Sequence, residues 1–183
     1  MHRYFTFVPS RLRRHMTPRA RRHDAKFVGQ LCSGESRAWS QLVEHWSPHL
    51  YSYVSYNVAT EADARVLLHA ILSEVIQTLI GACAMDNLTT LIFSIAYKHV
   101  LRYRRQNPDL LSPRGRQVQG TGEIGNDQQS NFLQRLRQFT PEMQQILLLR
   151  YLCGVTVPEL AQIVGQSEDL LTKVLYRSRA YFQ

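Results

Sequence analysis

Residues 139–182 read FTPEMQQILLLRYLCGVTVPELAQIVGQSEDLLTKVLYRSRAYF, and this stretch decides the fold. Residues that start helices occur at Thr140, Thr156 and Ser167, and apolar residues follow each of them at helical spacing. Gly165 separates the second predicted helix from the third, where a small residue lets two helices cross steeply. The pattern predicts a leucine-rich helix followed by a helix-turn-helix. Spacing alone leaves open whether this pair binds DNA or is an ordinary helical hairpin with a solvated, charged face.

The last predicted helix carries the side chains that point to nucleic acid. We expect four apolar residues to form its buried face: Leu170, Leu171, Val174 and Leu175. The candidate DNA-binding residues are then Ser167, Glu168, Thr172, Lys173, Tyr176, Arg177 and Arg179. Lysine and arginine bind phosphates or guanine edges, and threonine can contact a base or a thymine methyl group.

Three further helical patterns lie upstream. They begin near Ser36, at Thr60 and near Leu88, with apolar residues at spacings of three and four. Pro48 falls inside the first pattern and is a candidate for a kink or a break. Helices with these apolar faces can share one small core, so the predicted fold is all-α.

Composition divides the chain into four parts. Residues 1–26 form a basic arm, residues 27–105 a first helical domain and residues 131–183 a second. Between the domains, residues 106–130 are rich in Gly, Pro, Asn, Asp, Ser and Gln and have no periodicity. We therefore expect two small helical domains joined by a flexible linker.

The basic arm accounts for most of the formal net charge of +8. Residues 1–26 contain eight basic side chains and one acidic side chain. Such an arm can be a disordered tail, a phosphate-binding segment or, on its arginine content, a transit peptide. Met16 is an alternative start of the natural chain.

Several classes of site and protein are not indicated. Cys32, Cys83 and Cys153 form no CxxC pair, so we expect reduced cytosolic thiols rather than disulfides or a zinc site. His45 and His49 have a spacing that can bind a metal, but no third ligand is near, so a surface pair is expected. The sequence has no nucleophile motif, catalytic carboxylate pair or phosphate loop, which argues against an enzyme and predicts no cofactor.

The longest apolar stretch is residues 66–85. Polar residues interrupt it, among them His69, Ser73 and Glu74, and this favours a buried helix over a membrane span. No uninterrupted apolar segment follows the first charges, as a secretory signal would require. We therefore expect a cytoplasmic protein.

The C-terminal stretch resembles region four of the extracytoplasmic-function (ECF) sigma factors. That region has a leucine-rich helix, a glycine, a capped short helix, and then a serine and a recognition helix with a basic end. Upstream, GESRAWSQLVEHWSPHLYSYV (residues 34–54) and LIFSIAYKHVLRYRRQ (residues 91–106) resemble the two ends of region two of the family. The resemblance extends over roughly residues 24–182.

The resemblance implies a mechanism and a set of partners. Region two of these factors docks on core RNA polymerase and melts the −10 promoter element, and region four reads the −35 element. The implied partners are core RNA polymerase, promoter DNA and an anti-sigma factor. The −35 reader corresponds to residues 167–179. The −10 side corresponds to Tyr97, Lys98, Arg102, Tyr103, Arg104 and Arg105, and the polymerase-facing positions correspond to Asp63, Arg65, Val66 and His69.

The second helix departs from the family pattern. Family members carry an acidic pair after its Asp-Ala, whereas Asp63-Ala64 is followed here by Arg65 and Val66. His69-Ala70 replaces a Gln-Glu pair. The alternatives to a working sigma factor are a sigma-like DNA-binding regulator that does not initiate transcription, and a helical module that binds a protein partner.

Overall fold

All regular structure in the described part of the chain is helical, which confirms the predicted fold class. The structure is a computed structural model that describes residues 26–81, 87–107, 135–136 and 138–179. The basic arm, apart from Lys26, and most of the predicted linker lie outside these residues. The predicted domain limits therefore remain predictions.

The N-terminal part contains three long helices: α1 (Ser36–Ser55), α2 (Glu61–Gly81) and α3 (Leu88–Gln106). Helix α2 packs against both α1 and α3. The buried residues of α1 recur every three or four positions and include Leu42, Trp46 and Leu50, so one face is committed to the core. Pro48 does not split α1, because buried residues on both sides of it hold the helix in place.

The C-terminal part begins with α4 (Pro141–Leu147), which continues into a π-helical segment (Leu148–Leu152). Helices α5 (Val157–Val164) and α6 (Glu168–Arg179) follow and pack together. The Thr140 side chain caps α4 by accepting a hydrogen bond from the amide of Met143, as the sequence predicts. The thiol of Cys153 is buried, and burial raises the pKa of this group, so it packs as a neutral apolar side chain.

The two parts share one apolar core. Helix α3 packs along α5, and α1 contacts the π-helical segment. The core also includes Val28 and Leu31 from residues 26–32, a helical stretch that the sequence analysis did not identify. Their burial brings the start of the described chain into the same hydrophobic cluster.

A buried cluster of polar side chains joins the two parts. We call Tyr53, Asn57, Arg104 and Gln145 the polar cluster, and each of them is at most 4% exposed. The Tyr53 hydroxyl donates to Oε1 of Gln145 at 2.6 Å, and the amide nitrogen of Gln145 donates to the side-chain oxygen of Asn57. The Arg104 guanidinium donates to the same Asn57 oxygen at 3.3 Å and to Oε1 of Gln144 at 3.0 Å. Each half of the molecule thus satisfies buried polar groups of the other.

A second polar contact lies at the opposite end of α3. Asn87 caps this helix by accepting a hydrogen bond from the amide of Thr90. Its side-chain nitrogen donates to Oε1 of Glu159 in α5 at 2.8 Å. Because Asn87 and Arg104 lie at the two ends of α3, the C-terminal part is held along the whole length of this helix.

Helix α2 has an unusually apolar surface. It is the one helix among the described residues that is long and apolar enough to cross a membrane, and 22% of its most apolar window is buried. Val66 and Ile80 are both exposed. The expectation of a buried helix therefore holds for only one face of α2, which contains Ala64, Ile71, Val75 and Leu79.

The hydroxyl of Tyr53 provides a test of the polar cluster. We expect Tyr53→Phe to lower the free energy of unfolding by about 1–3 kcal/mol, because Gln145 would keep a buried oxygen without its donor. Urea denaturation followed by circular dichroism measures this change. The matched control is Tyr51→Phe in the half-buried neighbour of the same helix, for which we expect little change. Equal losses in the two variants would contradict the role of the cluster.

Candidate nucleic-acid interface

The candidate interface is built on α5 and α6, and hydrogen bonds fix the start of α5. Thr156 and Glu159 form a capping box in which the Glu159 amide donates to the Thr156 hydroxyl oxygen at 3.4 Å. The Thr156 amide donates to Oε2 of Glu159 at 3.0 Å. Thr156 therefore starts the helix as the sequence predicts, here within a capping box, and the other oxygen of the Glu159 carboxylate accepts the bond from Asn87.

Gly165 makes the turn between α5 and α6. It adopts φ +69°, ψ +35°, a left-handed conformation that side chains with a Cβ atom rarely adopt. Its amide and that of Gln166 both donate to the carbonyl of Ala161, which closes α5. Ser167 precedes α6 and caps it, since its hydroxyl oxygen accepts a hydrogen bond from the amide of Leu170 at 3.4 Å. The order of elements is the one that the sequence predicts.

The two faces of α6 differ sharply in chemistry. Leu171, Leu175 and Ser178 are buried and fix the orientation of the helix. All seven candidate DNA-binding side chains are exposed: Ser167, Glu168, Thr172, Lys173, Tyr176, Arg177 and Arg179. Tyr176 is 73% exposed, although it is large and aromatic. The helix therefore presents cations, hydroxyl groups and one aromatic ring to solvent together.

One residue of the predicted buried face of α6 was assigned wrongly. Leu170 is 46% exposed, whereas its neighbour Leu171 is fully buried. The pattern of spacing did not separate them, because two adjacent leucines point 100° apart on a helix and the core takes only one of them.

The charges on α6 follow the direction of the helix dipole. Glu168 and Asp169 lie in the first turn, and Arg177 and Arg179 lie in the last turn. Both pairs stabilise the helix. For a bound nucleic acid, the same arrangement places repulsion at the N-terminal end and attraction to phosphates at the C-terminal end.

The candidate −10 residues on α3 divide into two sets. Lys98, Arg102 and Arg105 are exposed and recur at helical spacing, so they share one face. Tyr97 and Tyr103 are half-buried and pack against the core. Burial raises the pKa of Tyr97, and the nearby carboxylate of Glu142 adds to this effect. Both rings are therefore partly covered by other parts of the protein.

Arg104 is the candidate −10 residue whose placement differs from the expectation. Its side chain is 4% exposed, and its guanidinium donates to Asn57, Gln144 and the carbonyl of Pro141. Burial lowers the pKa of this group. In this arrangement Arg104 is not available to a DNA strand, because it joins the two halves of the protein.

The candidate polymerase-facing residues lie at the start of α2. The Thr60 hydroxyl donates to Asp63 at 2.7 Å and holds the pKa of this carboxyl below its ordinary value. Arg65 forms an exposed ion pair with Glu61 at 2.6 Å. Val66 is 71% exposed, and His69 is exposed beside it. At the edge of this surface lies the hydrogen-bonded carboxylate of Asp63, the carboxylate of Glu61 is paired with Arg65, and Val66 and His69 add apolar and imidazole groups.

The described residues contain no group of three His, Cys, Asp or Glu side chains that could hold a metal ion. The rings of His45 and His49 lie 5.5 Å apart and make edge contacts with Trp46.

The roles of Asn57 and Gln145 in the polar cluster were not predicted from the sequence. A polar residue inside the leucine-rich stretch at residues 143–152 was the available signal for Gln145.

The comparisons with known proteins agree with the sequence resemblance. The chain matches no protein-family model. It is 22% identical over 164 residues to the ECF RNA polymerase sigma factor BldN of Streptomyces coelicolor. The match covers 84% of this chain, which spans 62% of the length of that relative. The predicted resemblance to the ECF sigma factors is confirmed.

Two solved structures resemble this fold to different degrees. CnrH in complex with the cytosolic domain of CnrY gives a TM-score of 0.65 at 17% identity, over 87% of this chain and 94% of that chain. This likeness shows a shared fold. The RsbN–BldN complex gives a TM-score of 0.38 at 20% identity, over 85% of this chain and 96% of that chain. A score this low does not establish a common arrangement.

The Gly165 turn makes a testable prediction. We expect Gly165→Ala to lower the free energy of unfolding by about 1–2 kcal/mol, the cost of a left-handed conformation for a residue with a Cβ atom. The added atom would meet no described residue within 4 Å, so the loss is attributed to the backbone conformation. Gly165→Asn should lose less, since asparagine tolerates this conformation better. Urea denaturation of both variants measures the difference.

Gly29→Ala is the matched control for this experiment. Gly29 lies in a helical stretch, has no positive φ, and an added Cβ atom there would also meet no described residue within 4 Å. We expect this variant to be at least as stable as the natural chain. A loss at Gly29 as large as that at Gly165 would show that the turn conformation is not the cause.

Proposed function

We propose that this divergent relative of the ECF sigma factors is a transcription-initiation factor that directs core RNA polymerase to promoters. Helix α6 reads the −35 element in the major groove, and α3 contacts the opened −10 strand. One observation carries the proposal: the outward face of α6 presents Lys173, Tyr176 and Arg177 at the end of two capped helices joined by a tight turn. Regulation of DNA-templated transcription is the resulting role, and the protein is not an enzyme.

The chemistry of α6 suits duplex DNA. Lys173 and Arg177 are four residues apart, so their side chains lie on the same face and reach the same groove. Either cation can bind the acceptor atoms of guanine or a phosphate. Thr172 and Tyr176 add hydroxyl groups on the adjoining face. The buried leucines Leu171 and Leu175 keep this surface pointing outward.

The chemistry of α3 suits a single strand. Lys98, Arg102 and Arg105 give a line of positive charge that can follow a phosphate backbone. The half-buried rings of Tyr97 and Tyr103 flank this line and can stack on bases. In this proposal residues 27–105 act as region two, residues 131–183 act as region four and residues 106–130 link them.

A protein partner is also part of the proposal. One solved structure that shares this fold is a complex between CnrH and the cytosolic domain of CnrY. We extend this to an anti-sigma factor that binds the present chain and controls its access to polymerase. Function on chromosomal promoters places the protein in the cytoplasm.

The surface of α2 favours a second candidate function. Arg65, Val66 and His69 replace acidic or amide side chains of the family pattern, and Arg65 is paired with Glu61. A regulator that binds promoter DNA without recruiting core polymerase would have no need for the lost acidic groups. This alternative shares the −35 chemistry and differs only in its binding to polymerase.

The recognition helix makes the first prediction of function. We expect Lys173→Ala or Arg177→Ala to weaken specific promoter binding by about 1–3 kcal/mol if the side chain reads a base, and to relax sequence preference at that position. A side chain that binds only phosphate would instead weaken all duplexes equally and lower the salt dependence. Binding to selected and scrambled duplexes at several salt concentrations separates the two cases.

Arg37→Ala is the control for these variants, because Arg37 is exposed on α1, outside the proposed DNA surfaces. It should bind DNA as the natural chain does. Unchanged promoter affinity in both α6 variants would contradict the assignment of α6 as the recognition helix.

The α2 surface separates the two candidate functions. A pull-down with purified core RNA polymerase followed by run-off transcription on genomic fragments should give a stable complex and discrete transcripts. We expect Val66→Asp to increase the retained fraction, because it restores an acidic group where the family has one. Ile80→Asp, at the far end of the same helix, is the control. If the natural chain and both variants bind duplex DNA but none of them binds polymerase, the result would favour the non-initiating regulator.

A further inference from the structure

Leu170 is an apolar side chain placed in water on an otherwise polar helix face. It is one of four large apolar residues among the described part of the chain that are strongly exposed, and it is 46% exposed. The contact between α6 and the core is already made by Leu171, Leu175 and Ser178. The fold therefore gains only part of the stabilisation that a fully buried leucine provides, since burial is the source of that effect.

The position of Leu170 on α6 aligns it with the proposed DNA contacts. Lys173 and Arg177 lie three and seven residues after it, so the three side chains form one stripe along the helix. Leu170 is the third residue of α6, and the N-terminal residues of a recognition helix are those that contact base edges. The two cations behind it supply the charge complementarity to a phosphate backbone.

The major groove presents one apolar group, the C5-methyl group of thymine. A leucine cannot form hydrogen bonds with base edges, so the contact open to it in the groove is with this methyl group. Adenine and guanine present hydrogen-bonding atoms in the groove, which an apolar side chain would leave unpaired, and cytosine lacks the methyl group.

We propose that Leu170 is a specificity-determining residue that selects thymine in the −35-type element by packing against its methyl group. This inference rests on the proposed function, because it requires α6 to enter the major groove of duplex DNA.

The test removes the methyl group alone. The full-length protein, with and without core RNA polymerase, selects its duplex from a random pool, and each thymine of the selected site is then replaced singly by uracil. For the natural chain we expect one or two replacements to weaken binding about fourfold. This is the loss in affinity expected when one methyl group is no longer buried against the protein. Leu170→Ala should bind the thymine duplex more weakly by a similar factor and should no longer distinguish thymine from uracil at that position.

Two further variants make the experiment specific. Ile80→Ala shortens an exposed apolar side chain at the far end of α2, outside the proposed DNA and polymerase surfaces, and should keep the full response to uracil. Tyr176→Ala removes the other exposed apolar group on α6; because Tyr176 belongs to the proposed DNA surface, this variant should lose affinity but keep the ratio of affinities for the thymine and uracil duplexes. Circular dichroism checks that Leu170→Ala is folded, as expected because alanine favours helix and the site is exposed.

The outcomes separate this inference from the proposed function. Duplex binding with an unchanged response to uracil in Leu170→Ala would overturn the inference and leave the function standing. The same conclusion follows if no uracil replacement affects the natural chain, or if the selected site contains no thymine. If no duplex is selected with or without polymerase, the proposed function fails and the inference fails with it.

Discussion

The burial of one guanidinium group constrains the rest of the structure. Arg104 is almost fully buried, and no carboxylate of the described residues forms an ion pair with it. A buried charge is costly unless hydrogen bonds replace its water, and here three neutral oxygens from Asn57, Gln144 and Pro141 do so. Its Nε atom has no hydrogen-bond partner among the residues that the structure describes. The arrangement therefore requires two of these oxygens to come from the C-terminal part, and α4 must lie against the end of α3.

Helix α3 is the element that this constraint organises. Asn87 at its start contacts α5, and Arg104 near its end contacts α4, while its apolar residues face the shared core. Helix α3, which carries the proposed −10 residues, thus also contacts α4 and α5, the helices that precede the proposed −35 reader α6. The side chains of α3 fall into two kinds for this reason. The Arg104 side chain forms hydrogen bonds between the two halves, whereas Lys98 and Arg102 on the outer face remain exposed.

Local chemistry made most of the helices predictable. Thr140, Thr156 and Ser167 cap helices with their own side chains, and Gly165 ends a helix through its backbone, so a few neighbouring residues determine each boundary. The exposure of the seven candidate side chains could be predicted because helical geometry separates a buried face from an exposed one. The burial of Arg104 could not be predicted, since it depends on residues 40 and 47 positions away in the chain. Leu170 was misassigned because neighbouring leucines look alike until the packing partner is known.

The polar cluster also has a consequence for synthesis on the ribosome. Tyr53, Asn57 and Arg104 are made before Gln145, whose bonds to Tyr53 and Asn57 span 92 and 88 residues. The three N-terminal helices pack through contacts near in sequence, and N-terminal units fold first as a chain emerges. A nascent chain therefore holds these polar groups in water until α4 arrives. Until then the Arg104 guanidinium lacks its acceptors on Pro141 and Gln144, and water must take their place.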